Sequence, residues 1–286
     1  MSLNKDLTII FVSYFSKKLI EKPLNTINEE IKVLIVENSL DLSAKGELES
    51  KYSNVKVIFP KENLGNGGGI NEGLKFVNTK YAFYLDIDTS LKKDTLEQLY
   101  LYANKIENFS ILGPSVINFD YKEEYFEKKN EINKVHRMNF MTGCALFFNV
   151  NTIKKIGCFD ENIFLYYEEN DLYLRCKKEN KPIFLIENAK IDHQGNSSVD
   201  STFEDEIEVN RNWHLMWSTF YFHKKHFGLI KAYEKTLFKF FSGLLKFIFY
   251  ILINKKKKSI YFARVSGIYN AMIGKKSWFR PRINKL

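Results

Sequence analysis

Cysteine is scarce in this sequence of 286 residues. The chain contains three, Cys144, Cys158 and Cys176, an odd number without the close pairing of a zinc site. A disulfide framework and a cysteine-based metal centre are therefore excluded. We expect the three thiols to be reduced and mostly buried.

The N-terminal pattern also gives little reason to expect a signal peptide. The first apolar run covers Leu7 to Val12 with Tyr14 beyond it, and it is short and lacks a small-residue cleavage site. The run therefore predicts a strand rather than a signal peptide. We expect the catalytic part of the chain to stay in the cytoplasm.

The remaining composition is typical of a folded α/β protein with a sizeable core: 45% of residues are hydrophobic and 27% are charged. Short runs rich in β-branched and aromatic residues alternate with stretches long enough for helices, which predicts parallel strands buried on both faces. These runs are Leu7–Val12, Val33–Val36, Val55–Phe59 and Ala82–Leu85. Further strands are predicted at 142–150, 183–186 and 191–195, and a short helix at 150–156 that ends at Gly157.

The formal net charge of +9 favours polyanionic partners. Such a partner could be nucleic acid, an anionic membrane surface or a nucleotide diphosphate. Of the three, we expect a nucleotide diphosphate and a membrane surface, and no nucleic acid, on the motifs described next.

Polar residues follow the predicted strands at their C-terminal ends, where ligands bind in open α/β sheets. Asp86 and Asp88 are two positions apart, so alternation points both carboxylates to one side while Ile87 faces the core. Paired carboxylates suit Mg2+ or Mn2+, which also bind substrate phosphates. For Asp88 alone, the alternative is a cap on a helix beginning near Leu91.

A glycine-rich segment, residues 63–73, lies between the third and fourth predicted strands. It matches neither a P-loop nor a dinucleotide-binding fingerprint. We expect a loop that lets the backbone approach phosphate before a helix begins. A tight turn with close helix packing is the alternative.

A second acidic cluster comprises Glu168, Glu169 and Asp171 at the predicted start of a helix. Clustered carboxylates raise each other's pKa, which suits one of them to accept a proton near neutral pH. The alternative is simple stabilisation of the helix N-terminus. His193 is a candidate metal ligand or phosphate donor, whereas the other histidines carry no independent signal.

The C-terminal segment differs in character. Leu237 to Ile253 is strongly apolar, with Lys239, Ser242 and Lys246 on one stripe at helical spacing, and Lys255–Lys258 follow at once. This pattern predicts an amphipathic helix lying in a membrane interface rather than a spanning helix. A helix packed on the catalytic domain or on a dimer partner is the alternative.

Taken in order, these segments resemble the family 2 glycosyltransferases, and within them a bacterial rhamnosyltransferase-like branch. The resemblance runs from about residue 7 to 230. The matching stretches are Val-Ser-Tyr at 12–14, Val-Glu-Asn-Ser at 36–39, the glycine-rich segment at 63–73, Asp-Ile-Asp-Thr at 86–89, Thr-Gly-Cys-Ala-Leu at 142–146, Gly-Cys-Phe-Asp-Glu at 157–161, Phe-Leu-Tyr-Tyr-Glu-Glu-Asn-Asp-Leu-Tyr-Leu-Arg at 164–175 and His-Gln-Gly at 193–195.

The resemblance implies a GT-A fold: a Rossmann-like, mixed but mainly parallel sheet flanked by helices, with a catalytic domain at 1–230 and a helical extension at 231–286. It implies a metal site at Asp86 and Asp88, with His193 as a possible further ligand, and acceptor contacts at Thr142 and Gly143. Glu169 falls where the family places its base, usually Asp, with Glu168 and Asp171 as rivals. The implied donor-binding residues are Ser13, Tyr14, Glu37, Asn38, Asn63, Gly65, Gly68, Asn71, Asp86 and Asp88.

The implied reaction is an inverting, metal-dependent transfer of rhamnose or a similar hexose from a dTDP- or UDP-linked donor to a glycan or lipid-linked acceptor. The setting it suggests is cell-surface polysaccharide assembly at the inner face of the cytoplasmic membrane, with a homodimer possible. Two rivals remain at this point. One is a sugar nucleotidyltransferase, which would release pyrophosphate, and the other is a non-catalytic module that binds membrane or polyanion.

Overall fold

The computed structural model describes residues 2–193, 195 and 204–281. Contacts divide the chain into two compact units. The first comprises Met1–Phe159 and Leu172–Val199, and the second comprises Asp160–Asp171 and Asp200–Leu286. The predicted boundary at residue 230 concerns the functional division of the chain and stays a prediction. Gln194 and residues 282–286, which belong to the predicted motifs and extension, lie outside the described residues.

The first unit is built on a mixed sheet with the strand order β3-β2-β1-β4-β9-β6-β10-β8-β7, and β5 pairs with β10 beside this path. The neighbours from β3 to β4 are parallel, as are β6 and β10. The strands are β1 (Leu7–Ser13), β2 (Lys32–Glu37), β3 (Val55–Ile58), β4 (Tyr81–Leu85), β5 (Thr89–Leu91), β6 (Ile111–Val116), β7 (Phe126–Lys128), β8 (Val135–Met138), β9 (Ala145–Asn149) and β10 (Ile183–His193).

Helices alternate with these strands along the chain, and three more follow the last strand. They are α1 (Leu3–Asp6), α2 (Glu21–Leu24), α3 (Ser43–Lys51), α4 (Gly65–Lys75), α5 (Thr95–Lys105), α6 (Val150–Ile156), α7 (Glu168–Lys178), α8 (Glu204–Phe227), α9 (Leu229–Tyr250) and α10 (Lys255–Met272). The predicted stop of α6 is confirmed, because Gly157 takes a left-handed φ of 94°.

The central strands are apolar at successive positions because the sheet is covered on both faces. Ile9 and Phe11 of β1 belong to one hydrophobic cluster, whereas Ile10 belongs to the other. The same alternation holds in β2, where Val33 and Ile35 face one side and Leu34 the other. The four predicted N-terminal strands are therefore confirmed, and their unbroken apolar runs are explained by burial on both sides.

The glycine-rich segment was predicted as a loop preceding a helix, and that prediction is wrong. Gly65 to Gly73 lie inside α4. A Cβ at Gly69 would lie 2.7 Å from Val12 Cγ1, and one at Gly73 would lie 2.8 Å from Ile10 Cγ2. The glycines thus let α4 pack closely on β1, which is the alternative that the sequence left open.

Two other local predictions are corrected by strand pairing. The residues after Asp88 do not cap a helix near Leu91, since Thr89–Leu91 forms β5 and the helix begins at Thr95. The strands predicted at 183–186 and 191–195 are one strand, β10, with a register irregularity between Ile186 and Lys190. An irregularity of this kind interrupts the apolar pattern without ending the strand.

In the second unit, α8, α9 and α10 pack around their own core. Trp213, Trp217 and Phe220 of α8 form it with Ala232 of α9 and Ala263 of α10. Across the described residues, no helix is long and apolar enough to cross a membrane. The predicted state of the cysteines agrees with the structure, in which Cys144 and Cys176 are buried, Cys158 is half-buried and all are free thiols.

Candidate active site

Two carboxylates and one imidazole converge beyond the C-terminal end of β4. Asp86 and Asp88 flank Ile87, whose side chain is buried as the alternation predicted. The antiparallel pairing of β5 with β10 sets His193 opposite Thr89. His193 Nε2 then lies 3.3 Å from Asp88 Oδ1 and 3.8 Å from Asp86 Oδ2.

This donor set fits a divalent cation. One ligand atom each of Asp86, Asp88 and His193 lies within 4.8 Å of the others, and carboxylate and imidazole are ordinary metal ligands. The hydrogen bond with Asp88, together with the charges of both aspartates, raises the pKa of His193 against the opposing effect of burial. The three residues thus form a compact, electronegative site.

Neighbouring titratable groups do not join this cluster of three. Asp192 precedes His193, but its carboxylate lies 3.3 Å from the ammonium of Lys92 and is half exposed. Burial and the charge of Asp86 raise the pKa of Cys144 to about 12, which keeps it a thiol at neutral pH. Oxygen and nitrogen donors therefore define the site.

A tyrosine of β4 also contacts the carboxylate of Asp86. The Tyr84 hydroxyl contacts Asp86 Oδ1 and lies 2.8 Å from Asn66 Oδ1. Because the hydroxyl carries one proton, the charged oxygen of Asp86 is its stronger acceptor. Tyr84 is almost fully buried, so it fixes the orientation of Asp86.

A second polar group lies where β1 and β2 end side by side. Ser13 and Glu37 are register partners, and the Ser13 hydroxyl donates to Glu37 Oε2. The backbone N–H of Ser39 donates to Glu37 Oε1 at 2.9 Å, and the Ser39 hydroxyl donates to the same atom. Glu37 is thus buried, and both of its carboxylate oxygens accept hydrogen bonds. Tyr14, which follows Ser13, is half-buried.

The amide side chains near α4 are used in structural hydrogen bonds. Asn38 donates from Nδ2 to the Gly65 carbonyl at 2.9 Å and accepts from the Leu64 N–H at 3.2 Å. Asn63 Oδ1 accepts from the Gly65 N–H at 3.0 Å. These contacts fix the start of α4, where Gly65 takes a φ of 74°.

Further along the same helix, Asn71 exchanges two hydrogen bonds of 3.0 Å with the backbone of Phe159. Gly68 packs against Leu64, whose Cβ would lie 3.0 Å from a Cβ added at Gly68. Thr142 and Gly143 are half-buried just before β9, and Thr142 Oγ1 lies 3.7 Å from Cys144 Sγ. Roles of these residues in binding donor or acceptor stay predictions.

The second acidic cluster lies at the start of α7, as predicted. Burial is the main cause that raises the pKa of Glu169, and hydrogen bonds, including one with Glu168, partly offset it. A carboxylate with a raised pKa is matched to accepting a proton near neutral pH. Glu168 is itself buried beside it.

Asp171 has different surroundings. Its Oδ1 lies 2.7 Å from His226 Nε2 and 2.5 Å from Lys225 Nζ, and its side chain has no exposed surface. Lys225 also contacts Asp160 Oδ2 at 2.7 Å. These contacts link Asp160 and Asp171 to α8 within the second unit, and they favour a structural role for Asp171 over the rival role of base.

Sequence reasoning missed Tyr84 and His226. Tyr84 had a usable signal, since it lies two positions before Asp86 and therefore on the same side of the strand. His226 had none, because 55 residues separate it from Asp171 and no local pattern links them.

Comparison with known proteins gives three findings. A family model described as "Glycosyl transferase family 2" matches residues 8–166, more than half of the chain. The chain is 25% identical over 227 residues to the low-salt glycan biosynthesis hexosyltransferase Agl10 of Haloferax volcanii, covering 71% of this chain and 72% of that protein. It is 24% identical over 219 residues to the dTDP-rhamnosyl transferase RfbF of Shigella flexneri, covering 69% and 72%.

Among solved structures, the chain is similar to the mannosyltransferase PcManGT from Pyrobaculum calidifontis, whose structure is described as a complex with GDP-Man and Mn2+. The TM-score is 0.59 at 12% identity, covering 95% of this chain and 88% of that one. At this identity the likeness concerns the fold, and it confirms the predicted GT-A architecture with its helical C-terminal region.

Proposed function

The chain belongs to glycosyltransferase family 2, and we propose that it transfers a hexose from a nucleoside diphosphate donor to an acceptor hydroxyl with inversion at the anomeric carbon. Glycosyl transfer from a nucleotide sugar follows from the family. The hexose, with rhamnose from a dTDP donor as first candidate, is supported by the likeness to a dTDP-rhamnosyl transferase. Cell-surface polysaccharide assembly is the proposed setting, and the likeness to a glycan biosynthesis hexosyltransferase supports a role in glycan synthesis.

The observation that carries the proposal is the convergence of Asp86, Asp88 and His193 at the end of β4. In an open α/β sheet this edge is where ligands bind. The three side chains would hold Mg2+ or Mn2+, and Mn2+ is named with a nucleotide sugar in the similar mannosyltransferase structure. A bound divalent cation supplies positive charge that stabilises a leaving diphosphate.

The chain's own residues would divide the remaining tasks. Ser13 and Glu37, with Tyr14 beside them, would contact the nucleoside. Asn38, Asn63 and Gly65 fix the start of α4, and Gly68 packs against Leu64 there. Asn71 joins the same helix to the backbone of Phe159. We propose that these five residues shape the donor site. Tyr84 orients Asp86.

Glu169 is the proposed base. Its oxygen would take the proton of the acceptor hydroxyl while that hydroxyl oxygen bonds to the anomeric carbon and the bond from that carbon to the diphosphate oxygen breaks. Burial raises the pKa of Glu169, which favours its acting as a proton acceptor. Glu168 shares a hydrogen bond with it, and Thr142 and Gly143 are the proposed acceptor contacts.

We further propose residues 1–230 as the catalytic domain and 231–286 as an extension that serves a lipid-linked acceptor at the inner face of the cytoplasmic membrane. A homodimer is compatible with the exposed apolar residues of this extension.

The test of the metal assignment is calorimetry with UDP or dTDP in the presence of Mn2+. Loss of an outer-shell partner typically lowers metal affinity about 10–100-fold, and Asp88→Asn removes the negative charge of a proposed direct ligand, so we expect at least that loss of nucleotide binding. Asp192→Asn is the matched control, because it makes the same charge change at an exposed neighbour of His193. Equal binding by the Asp88 variant and wild type would refute the assignment.

The reaction class is tested separately. Incubation with dTDP-rhamnose and UDP-hexoses in a panel should release the nucleoside diphosphate. A sugar nucleotidyltransferase would instead release pyrophosphate from a nucleoside triphosphate, which distinguishes the two classes in one assay.

A further inference from the structure

The outer side of α9 presents large apolar side chains to solvent. Phe238 is 82% exposed, Leu245 is 70% exposed and Leu252, just beyond the helix, is 95% exposed. Phe238 and Leu245 are seven residues apart and therefore lie on one side of the helix, and Leu252 follows at the same spacing in the turn after it. We call this surface the α9 face, which comprises Phe238, Phe241, Leu245, Ile248, Phe249 and Leu252.

The opposite side of α9 is buried within the second unit. Ala232, Thr236 and Gly243 are buried, and Ala232 belongs to the core shared with α8 and α10. The α9 face is therefore not needed to hold the second unit together. A contiguous apolar surface of this kind marks an interaction site.

Positive charge borders the α9 face. Lys239 and Lys246 lie on one flank close to the buried side of the helix, and Lys246 Nζ lies 5.4 Å from the centroid of the Tyr261 ring of α10. Burial lowers the pKa of Lys239, and Arg264 and Lys235 lower it further, which indicates that its stem is partly covered. Lysines at such a boundary lay their stems along apolar surface and keep their ammonium groups in the polar layer.

More lysines follow at the start of α10. Lys256 contacts Asp205 and Glu208 of α8 at 2.7 and 2.9 Å, and Lys257 lies over the Tyr250 ring. Lys255 and Lys258 form no ion pair among the described residues. Four positively charged lysines at the N-terminus of a helix interact unfavourably with the helix dipole. Nearby anions would therefore stabilise them.

The charge of the whole chain is concentrated in this region. Residues 231–286 contain 14 Lys and Arg against a single acidic residue, Glu234, whereas residues 1–230 contain 29 basic and 33 acidic residues. The net charge of +9 therefore arises in the C-terminal extension. A positive zone beside an apolar face is complementary to an anionic bilayer, where each cation near the surface adds about 1 kcal/mol of attraction.

We propose that the α9 face is a docking surface for an anionic phospholipid bilayer. The helix lies parallel to the membrane plane, with Phe238, Leu245 and Leu252 inserted at the boundary between headgroups and acyl chains. Lys255 and Lys258 contact the phosphate groups. Docking of this kind needs no spanning helix, and it does not depend on the proposed transfer reaction.

The experiment is sedimentation of the full chain with vesicles of phosphatidylcholine alone and of phosphatidylcholine with about one-third phosphatidylglycerol, a composition whose charge attracts basic residues. Wild type should bind the anionic vesicles and lose binding as salt is raised. Leu252→Glu should weaken binding about tenfold or more. The double variant Lys255→Gln with Lys258→Gln should weaken it about 30-fold on anionic vesicles.

Ile132→Glu is the matched control for the apolar change, because Ile132 is 96% exposed in the first unit and outside the α9 face. Lys45→Gln is the control for the loss of charge. Circular dichroism and a thermal melt check that each variant is folded, and the lysine variant supplies the test if Leu252→Glu does not fold.

Three results would overturn the proposal. The first is a wild-type chain that stays in solution with anionic vesicles. The second is an equal loss of binding in Ile132→Glu. The third is self-association without lipid that Leu252→Glu abolishes while vesicle binding is unchanged, which would assign the face to a second copy of the chain.

Discussion

The contact between Tyr84 and Asp86 leads to a quantitative prediction. Tyr84→Phe removes one buried hydroxyl that holds a carboxylate of the proposed metal site. A hydrogen bond to a charged group contributes about 1.5–3 kcal/mol, and loss of an outer-shell partner lowers metal affinity about 10–100-fold. We therefore expect the dissociation constant for Mn2+ to rise by about that factor.

The assay is a titration with Mn2+ followed by electron paramagnetic resonance, performed alone and with saturating UDP. Tyr81→Phe is the matched control on the same strand, because its hydroxyl donates to the Ala103 carbonyl at 3.0 Å and its ring packs in the cluster on the other face of the sheet. Both variants lose a buried hydroxyl, but only one should lose metal affinity. Wild-type affinity in Tyr84→Phe, or an equal loss in Tyr81→Phe, would refute the reasoning.

Two more predictions concern the base and the packing of α4. Glu169→Gln should lower transfer about 10²–10⁴-fold with unchanged nucleotide binding; near-normal turnover would move the role to a neighbour. The same variant should melt at a higher temperature at neutral pH, because burial raises the pKa of Glu169 and its ionised form destabilises the fold. This gain should vanish below pH 4.5, the ordinary pKa of a glutamate, where both states are protonated; a gain that persists there contradicts the assignment. Gly69→Ala should reduce the free energy of unfolding by about 1–3 kcal/mol, since its Cβ would lie 2.7 Å from Val12. Gly46→Ala, with nothing within 4 Å, should not, and equal urea midpoints for the two would contradict the packing argument.

Local pattern was sufficient for the four N-terminal strands and for the Asp86–Asp88 pair, but not for β5, β6, β7 and β8, which were not predicted from the sequence. The alternation of side chains is a property of adjacent residues, so the burial of Ile87 and the shared direction of the two aspartates could be predicted from the residues that follow β4. The glycine-rich segment was misassigned because a run of glycine is a weak helix former. Its helical state depends on close packing against Val12 and Ile10, which local sequence does not record.

The sequence by itself determined the class of fold, the carboxylate pair and the order of the motifs, because each rests on neighbours along the chain. Tertiary structure decided which distant groups meet. His193 reaches Asp88 only because β5 pairs antiparallel with β10, and Asp171 is held by His226 and Lys225 only because α8 packs beside it in the second unit. Contacts of this kind arise from strand register and helix packing, which bring together residues that no spacing rule connects.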